Sequence, residues 1–367
     1  MSLKVMTLFG TRPEIIRLSR VIPLLDRFCR QVLVHTGQNH DPNLSDVFFR
    51  ELGVRQPDVH LGITAEGFAE QAGQVLTRAG EVLERECPDR LLILGDTNSG
   101  LAAIVAARLG IPVFHMEAGN RCFDDRVPEE INRRIIDHSS AVLMPYTHRS
   151  KENLLREGIE RQRIYVIGNP IFEVLHAYAA QIEASDALRR LQVAKGEFFL
   201  VTLHRAENVD QSPRLEKLCR GLALVADTYK QPMVVSLHPR TADKLARFGL
   251  KPGSERVRLL PPMGFFDFVH LERSALCVLT DSGTVQEECC ISRVPNLTLR
   301  DVTERAETIE VGSNLLTGSE PEAVLEAVRV ALETNRAWSP PPEYLEAGVS
   351  STVARIVLGF LFQNSGQ

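Results

Sequence analysis

At 367 residues the chain is longer than one ordinary core requires, and a prior of roughly 150 residues per domain points to two domains. An apolar fraction of 44% and a charged fraction of 24% are those of a globular protein, and a formal net charge of -5 leaves no basic footprint for nucleic acid. Seven cysteines without C-x-x-C spacing read as reduced, mostly buried thiols, and no apolar run has the length of a signal core or membrane span, so a soluble cytoplasmic protein is expected.

In chain order, the first half alternates short apolar runs with helical segments. KVMTLFG, QVLVHTG, RLLILGD, IPVFHME, AVLMPY and RIYVIGN read as strands ending in Gly, Asp, Glu, Tyr or Asn. PEIIRLSRVIPLLDRFC, opened by Pro13, and NSGLAAIVAARLG, closed by Gly110, read as helices between them. Strands that are apolar throughout indicate a parallel sheet covered on both faces. The pattern restarts near residue 197 with EFFLVTLH, PMVVSLHP, RVRLLPP, ALCVLTDSG and VPNLTLRD. WSPPPEY, residues 338–344, reads as a local linker. The fold class expected is therefore α/β, with two Rossmann-like doubly wound domains over 1–170 and 171–349. A C-terminal helix over about 350–367 is expected to pack back on the first domain.

Ligands of open parallel sheets lie beyond the carboxyl ends of the strands. Two such domains facing each other would put a ligand in an interdomain cleft. The polar residues at strand ends are Arg12, Gln38, Asp96, Glu117, His204, His238, Ser282 and Arg300. Any one could be a turn or cap, but eight at equivalent positions are hard to explain that way.

LTDSGTVQEE runs from a strand through Asp281, Ser282 and Gly283 into a helix start at Thr284. Its free N–H groups and the positive end of the helix dipole favour an anion, and Glu288, one to two turns on, could reach a ribose diol. FGTRPEIIR repeats the logic with Arg12 and Arg17, cations near a helix N-terminus that are unfavourable there unless an anion is present. HMEAGNRCFDDRVPEEINR gathers five carboxylates and three arginines, among them Glu117, Glu129 and Arg133. The H-x-E at His115 lacks the P-C-x-x-C of zinc deaminases, so no metal is expected. G-x-S-x-G and G-x-G-x-x-G are also missing, which argues against a serine nucleophile and a tightly held dinucleotide. What remains is a diphosphate cradle with Asp96, Glu117, Glu129 and His204 as candidates for proton transfer.

With GTRPEIIR, HTGQ, GDTNS, HMEAGNR, PEEINR, LHRAEN, LTDSGTVQEE and RDVTERAE in this order, the chain resembles the non-hydrolysing UDP-N-acetylglucosamine 2-epimerase family over nearly its full length. The resemblance implies a GT-B-like fold, a homodimer, a UDP-sugar substrate, and no metal or nicotinamide. It implies that Asp96, Glu117, Glu129 and His204 move protons. Arg12, Arg17, Arg133, His238, Phe268, Ser282, Gly283, Thr284, Glu288 and Arg305 would contact the substrate, with Phe268 against uracil and Arg133 close enough to ion-pair with Glu129. Family members acting on UDP-N-acetylglucosamine typically carry lysine at Arg17, histidine at Asn39 and glycine at Thr284. These departures look more like the capsule and O-antigen branch that forms UDP-N-acetyl-L-fucosamine from its L-talo epimer, and they put allosteric activation by UDP-N-acetylglucosamine in doubt. A GT-B glycosyltransferase or a non-catalytic UDP-sugar binder would share the cradle; solvent deuterium at C2 without an acceptor marks the epimerase.

Overall fold

The computed structural model describes residues 3–37, 42–65, 67–334 and 337–359, so Gln38, Asn39 and the chain beyond 359 lie outside the described residues. The chain divides into two compact units, Met1–Ala177 with Pro342–Gln367, and Tyr178–Pro341. Residues 171–177 and 342–349, placed by sequence in the second domain, thus belong with the first unit.

The first unit holds β1 (Lys4–Phe9), β2 (Arg30–His35), β3 (Val59–His60), β4 (Arg90–Leu94), β5 (Val113–Met116) and β6 (Val142–Met144), in the order β3-β2-β1-β4-β5-β6. The second holds β7 (Phe199–Leu203), β8 (Met233–Leu237), β9 (Val257–Leu260), β10 (Cys277–Thr280), β11 (Asn296–Thr298) and β12 (Asn314–Leu316), in the order β12-β11-β10-β7-β8-β9. Every pairing is parallel. Each unit is thus a doubly wound sheet whose strand order reverses once, between β1 and β4 in one and between β7 and β10 in the other. The α/β class with two Rossmann-like, GT-B-like domains stands.

The strands are apolar throughout because both faces are covered. Met6, Leu8, Val34, Leu91 and Ile93 pack against Val75, Val82 and Leu83 of the helix Phe68–Glu86 and against Ala102, Ala103 and Ala106. In the second unit Phe199, Val201, Val235 and Leu279 face Leu222, Val225, Val324 and Val328, while Phe198, Leu200, Val234 and Val278 face Leu271, Val285 and Cys289. Side chains one residue apart point to opposite layers, so an apolar strand feeds two cores.

Three local expectations are corrected, and two edge strands are added. RIYVIGN forms no regular strand: it runs beside β6 through an isolated bridge, Leu143 to Ile164, with Tyr165 N–H donating to the Leu143 carbonyl at 2.9 Å and Ile167 N–H to that of Pro145 at 3.0 Å. PEIIRLSRVIPLLDRFC breaks at Ser19–Arg20 into the helices Arg12–Leu18 and Val21–Phe28. NSGLAAIVAARLG opens with a 3-10 turn, Asn98–Leu101, before the helix Ala102–Arg108. The edge strands β3 and β12, two and three residues long, were too short to show in the sequence pattern.

The C-terminal helix Val349–Leu358 belongs to the first unit, where Arg90 holds its end. Arg90 is buried at the start of β4, lies 5.3 Å from the Phe114 ring centre, and donates to the carbonyls of Val357 and Gly359, the latter at 2.6 Å. Ser350 N–H donates to Glu173 at 2.9 Å at the other end of the helix. Arg90→Ala should strand two carbonyls and open a cavity, lowering stability by about 2–4 kcal/mol. Hydrogen exchange of residues 349–359 should then rise before that of β1 and β4; unchanged protection would show that the helix does not depend on Arg90.

Candidate active site

In the first unit the reversal of strand order leaves the loops after β1, β4 and β5 side by side. Leu94 pairs with Met116, and Gly95 N–H donates to the Met116 carbonyl at 3.0 Å, so Asp96 and Glu117 follow at neighbouring strand ends. Glu117 has φ +69, a left-handed conformation costly for a residue with Cβ, and one that marks functional positions. Its backbone N–H donates to Met144 at 3.1 Å and Asn120 Nδ2 donates to its Oε1 at 3.2 Å. Arg17, 3% exposed, is its counter-ion, with Nη1 at 3.4 Å from Oε2.

The role expected for Arg17 therefore rests on a misplaced premise. The helix is only Arg12–Leu18, so Arg17 sits in its last turn, where the dipole favours a cation, and it faces a carboxylate of its own unit. Arg12 does lie at the first turn, with its guanidinium 5.7 Å from the Phe48 ring centre.

Asp96 is held from the helix Pro128–Ser139: Arg133 Nε donates to its Oδ2 at 2.8 Å, and Asn132 Nδ2 donates to its carbonyl at 3.1 Å. Glu129, half-buried, occupies the first turn of that helix. The carboxylate one turn from Arg133 that sequence reading left unassigned is Glu130, completely buried and 2.7 Å from Nη1. Glu130 also accepts the N–H groups of Cys122 and Phe123, both at 3.0 Å. Burial alone would raise this carboxyl, but these donors and Arg133 outweigh it and hold it below its ordinary range. Asp124 with Arg126, and Asp125 with Arg134, form ion pairs at 2.6 and 2.9 Å. His115 faces the Asp137 carboxylate at 2.9 Å and the Gly95 carbonyl at 2.8 Å, so both ring nitrogens brace the β5 loop.

A second residue missed in the sequence is Glu14, buried beneath the β1 loop. It accepts the N–H groups of Gly10 at 2.6 Å and Thr11 at 2.7 Å and the Thr97 hydroxyl at 2.8 Å, tying the β1 loop to the β4 loop. The T-x-x-E spacing of a capping box was its signal. Gly10 is required here, since a Cβ would lie 1.9 Å from Thr36 Oγ1. Burial, only partly offset by these donors, raises Glu14 to about 7 from 4.5. The folded state thus keeps a proton that the unfolded chain loses, so this contribution is full below pH 4.5 and disappears as pH rises through about 7. The loss should reach about 3 kcal/mol. Urea midpoints of the native protein should fall across that window relative to Glu14→Gln; parallel profiles would refute it.

In the second unit the loops after β7 and β10 adjoin. Asp281, completely buried, gathers the β7 loop: it accepts the N–H groups of His204 at 3.0 Å and Arg205 at 2.9 Å, and Asn208 Nδ2 at 3.1 Å. His204 Nδ1 is 3.1 Å from its Oδ1, which leaves Nε2 as the nitrogen for exchange with a ligand. The His238 ring lies 5.8 Å from that of His204, and its Nδ1 accepts Arg240 N–H at 3.2 Å, capping the helix Pro239–Phe248.

Ser282 is the N-cap of the helix Gly283–Ser292, its hydroxyl 3.0 Å from that of Thr284. A Cβ on Gly283 would lie 2.5 Å from Glu304 Oε1, so any larger residue would have to displace that carboxylate. Glu304 is fixed by Arg300 at 2.8 Å and Arg205 at 3.4 Å, and Arg300 also meets Glu207 at 3.1 Å. Arg305 pairs with Glu287 at 2.5 Å. Phe268, half-buried, packs against the apolar cluster of Leu271 and Val285. Glu288 is 5% exposed on the same helix as Gly283. The predicted residues thus fall into two sets. Arg12, Arg17, Asp96, Glu117, Glu129 and Arg133 surround the β1, β4 and β5 ends, and His204, His238, Phe268, Ser282, Gly283, Thr284, Glu288 and Arg305 belong to the second unit.

The family model for UDP-N-acetylglucosamine 2-epimerase matches residues 26–358. A UDP-N-acetylglucosamine 2-epimerase of Methanocaldococcus jannaschii is 41% identical over 347 residues, 92% of this chain and 95% of the relative. A crystal structure of the UDP-GlcNAc 2-epimerase of Methanocaldococcus jannaschii in complex with UDP-GlcNAc and UDP superposes with a TM-score of 0.92 at 40% identity, covering 96% of this chain and 99% of the other. A UDP-2,3-diacetamido-2,3-dideoxy-D-glucuronate 2-epimerase of Pseudomonas aeruginosa is 36% identical over 335 residues, 90% of this chain and 92% of that one.

Proposed function

Since the chain belongs to the UDP-N-acetylglucosamine 2-epimerase family, isomerases acting on carbohydrates, we propose that it inverts C2 of a UDP-N-acetylhexosamine without hydrolysis. The observation that carries this reading is the placement of Asp96 and Glu117 at adjacent strand ends, each held by an arginine. In this reading the second unit holds the nucleotide and the first works on the sugar. One base takes the C2 proton as the C1–O bond breaks and its electron pair leaves with UDP. The resulting unsaturated sugar then receives a proton on the opposite face, and the UDP oxygen re-forms the C1–O bond. Asp96, Glu117, Glu129 and His204 are the proton-transfer groups, and Arg12, Ser282, Gly283 and Glu288 are UDP ligands.

Arg17 and Arg133 act here as counter-ions of Glu117 and Asp96, and Arg305, which pairs with Glu287 and lies beside Gly283, is a further UDP ligand. The relative at 41% identity makes UDP-N-acetylglucosamine and its manno epimer the first substrate pair to test. The departures at Arg17, Asn39 and Thr284 support the L-fuco and L-talo pair as the alternative, with a role in surface-polysaccharide synthesis, and the diacetamido-sugar relative indicates that members differ in their sugar. A cytoplasmic homodimer completes the reading.

The test is incubation in D₂O with each UDP-sugar and no acceptor, read by NMR at C2. Deuterium at C2 with formation of the epimer is expected. Stoichiometric free sugar and UDP would indicate hydrolysis, and UDP binding without exchange would indicate a sensor; either result overturns the proposal.

A further inference from the structure

Glu272 has no part in the chemistry above, yet it is completely buried in the second unit. It lies on the helix Phe265–Ser274, beside Cys289 of the helix Gly283–Ser292. No N–H or O–H group of the described residues donates to either of its oxygens. The group within hydrogen-bonding reach is another carboxyl, that of Glu288 on the helix Gly283–Ser292. Arg273 lies farther off as a weak positive influence, and the Cys289 thiol borders both acids. Two carboxylate ions side by side there would repel, and that of Glu272 would lack a donor, which favours keeping one of the two protonated. An acceptor facing an acceptor needs a proton between them. Burial first, and then the Glu288 charge, accordingly raise Glu272 well above the carboxylate range.

Such a pair is a poor way to stabilise a core, because an apolar side chain of similar volume would remove the desolvation cost. Its use lies with Glu288, which keeps a small exposure of 5% where Glu272 has none. We propose that Glu272 is a positioning residue: it carries a proton that it donates to Glu288, fixing the Glu288 oxygen that receives the ribose diol of the nucleotide. This rests on the reading of Glu288 as a UDP ligand.

Calorimetric titration of the full chain with UDP and with 2′,3′-dideoxy-UDP tests it. E272M should fold at least as stably as the native protein, and it should lose about tenfold in UDP affinity, the scale of one hydrogen bond to a charged group. Its affinity for dideoxy-UDP should equal the native value, since no diol is then present. E272Q keeps a donor and should recover most of the UDP affinity. The infrared difference spectrum of native minus E272Q should contain a protonated-carboxyl C=O band at neutral pH. Equal losses for UDP and dideoxy-UDP in E272M would reduce the residue to a structural role and overturn the proposal. Native affinity in E272M alongside a loss in E288Q would overturn the positioning role alone. Native UDP affinity in E288Q would overturn the ribose reading itself.

Discussion

Glu117→Gln should lower deuterium exchange at C2 by about 10²- to 10⁴-fold, the worth of one general acid or base, while UDP affinity stays within about twofold of native. The substitution preserves shape, and the amide can still receive the Asn120 Nδ2 hydrogen bond seen at 3.2 Å. It removes the charge opposite Arg17, whose guanidinium is 3% exposed and close to the Tyr146 ring, 5.8 Å from its centre. Some stability should therefore be lost as well, because a buried cation is left with a weaker partner. Stopped exchange with intact UDP binding and cooperative unfolding assigns Glu117 to proton transfer. A parallel loss of UDP affinity would deny the division between a sugar-processing unit and a nucleotide-holding one. The strain at φ +69 adds a control: Glu117→Gly should relieve the backbone and still abolish exchange.

Asp281→Ala is the second large effect. Its carboxylate is 0% exposed and collects two backbone N–H groups, the Asn208 amide and the His204 ring, so truncation leaves several buried donors without an acceptor. Losses of about 3–5 kcal/mol follow removal of one partner from such a buried cluster. Exchange at C2 should fall too, since His204 loses the group that orients its ring. Burial by itself would raise this carboxyl, but His204 and the N–H donors outweigh it and hold it well below its ordinary value of 3.8. A depressed carboxyl contributes stability that is complete above the unfolded value and is lost as pH falls below 3.8 through the folded one. Urea denaturation should show the native protein losing its advantage over Asp281→Ala in that acid window and keeping it at neutral pH. A constant difference through the acid range would locate the stabilisation elsewhere.

The strands were legible because a parallel sheet covered on both faces demands uninterrupted apolar runs, as in RLLILGD and ALCVLTDSG. The loops were legible because glycine and polar residues cluster where those runs stop. RIYVIGN carries the same pattern and lies beside β6 without completing a ladder, since apolar composition reports burial and not the regularity of pairing. The break at Ser19–Arg20 has a local cause that the continuing helical spacing masked: Pro23 has no N–H to give the Ser19 carbonyl, so Arg12–Leu18 and Val21–Phe28 cannot be one helix. Ion-pair partners were the least legible. Arg133 is equally spaced for Glu129 and Glu130 in sequence terms, and its pairing with Glu130 and Asp96 depends on how the helix Pro128–Ser139 is rotated against β4.

The sequence by itself determined the class of fold, the family, and which loops carry the chemistry, because periodicity and glycine placement are local properties of the chain. The tertiary structure decided which charges neutralise each other. It turned Arg17 toward Glu117, put Asp281 under His204, tied Glu14 to Thr97 of the loop after β4, and set Glu272 against Glu288. These are contacts between segments far apart in the chain, and their strength comes from exclusion of water, which no local pattern encodes.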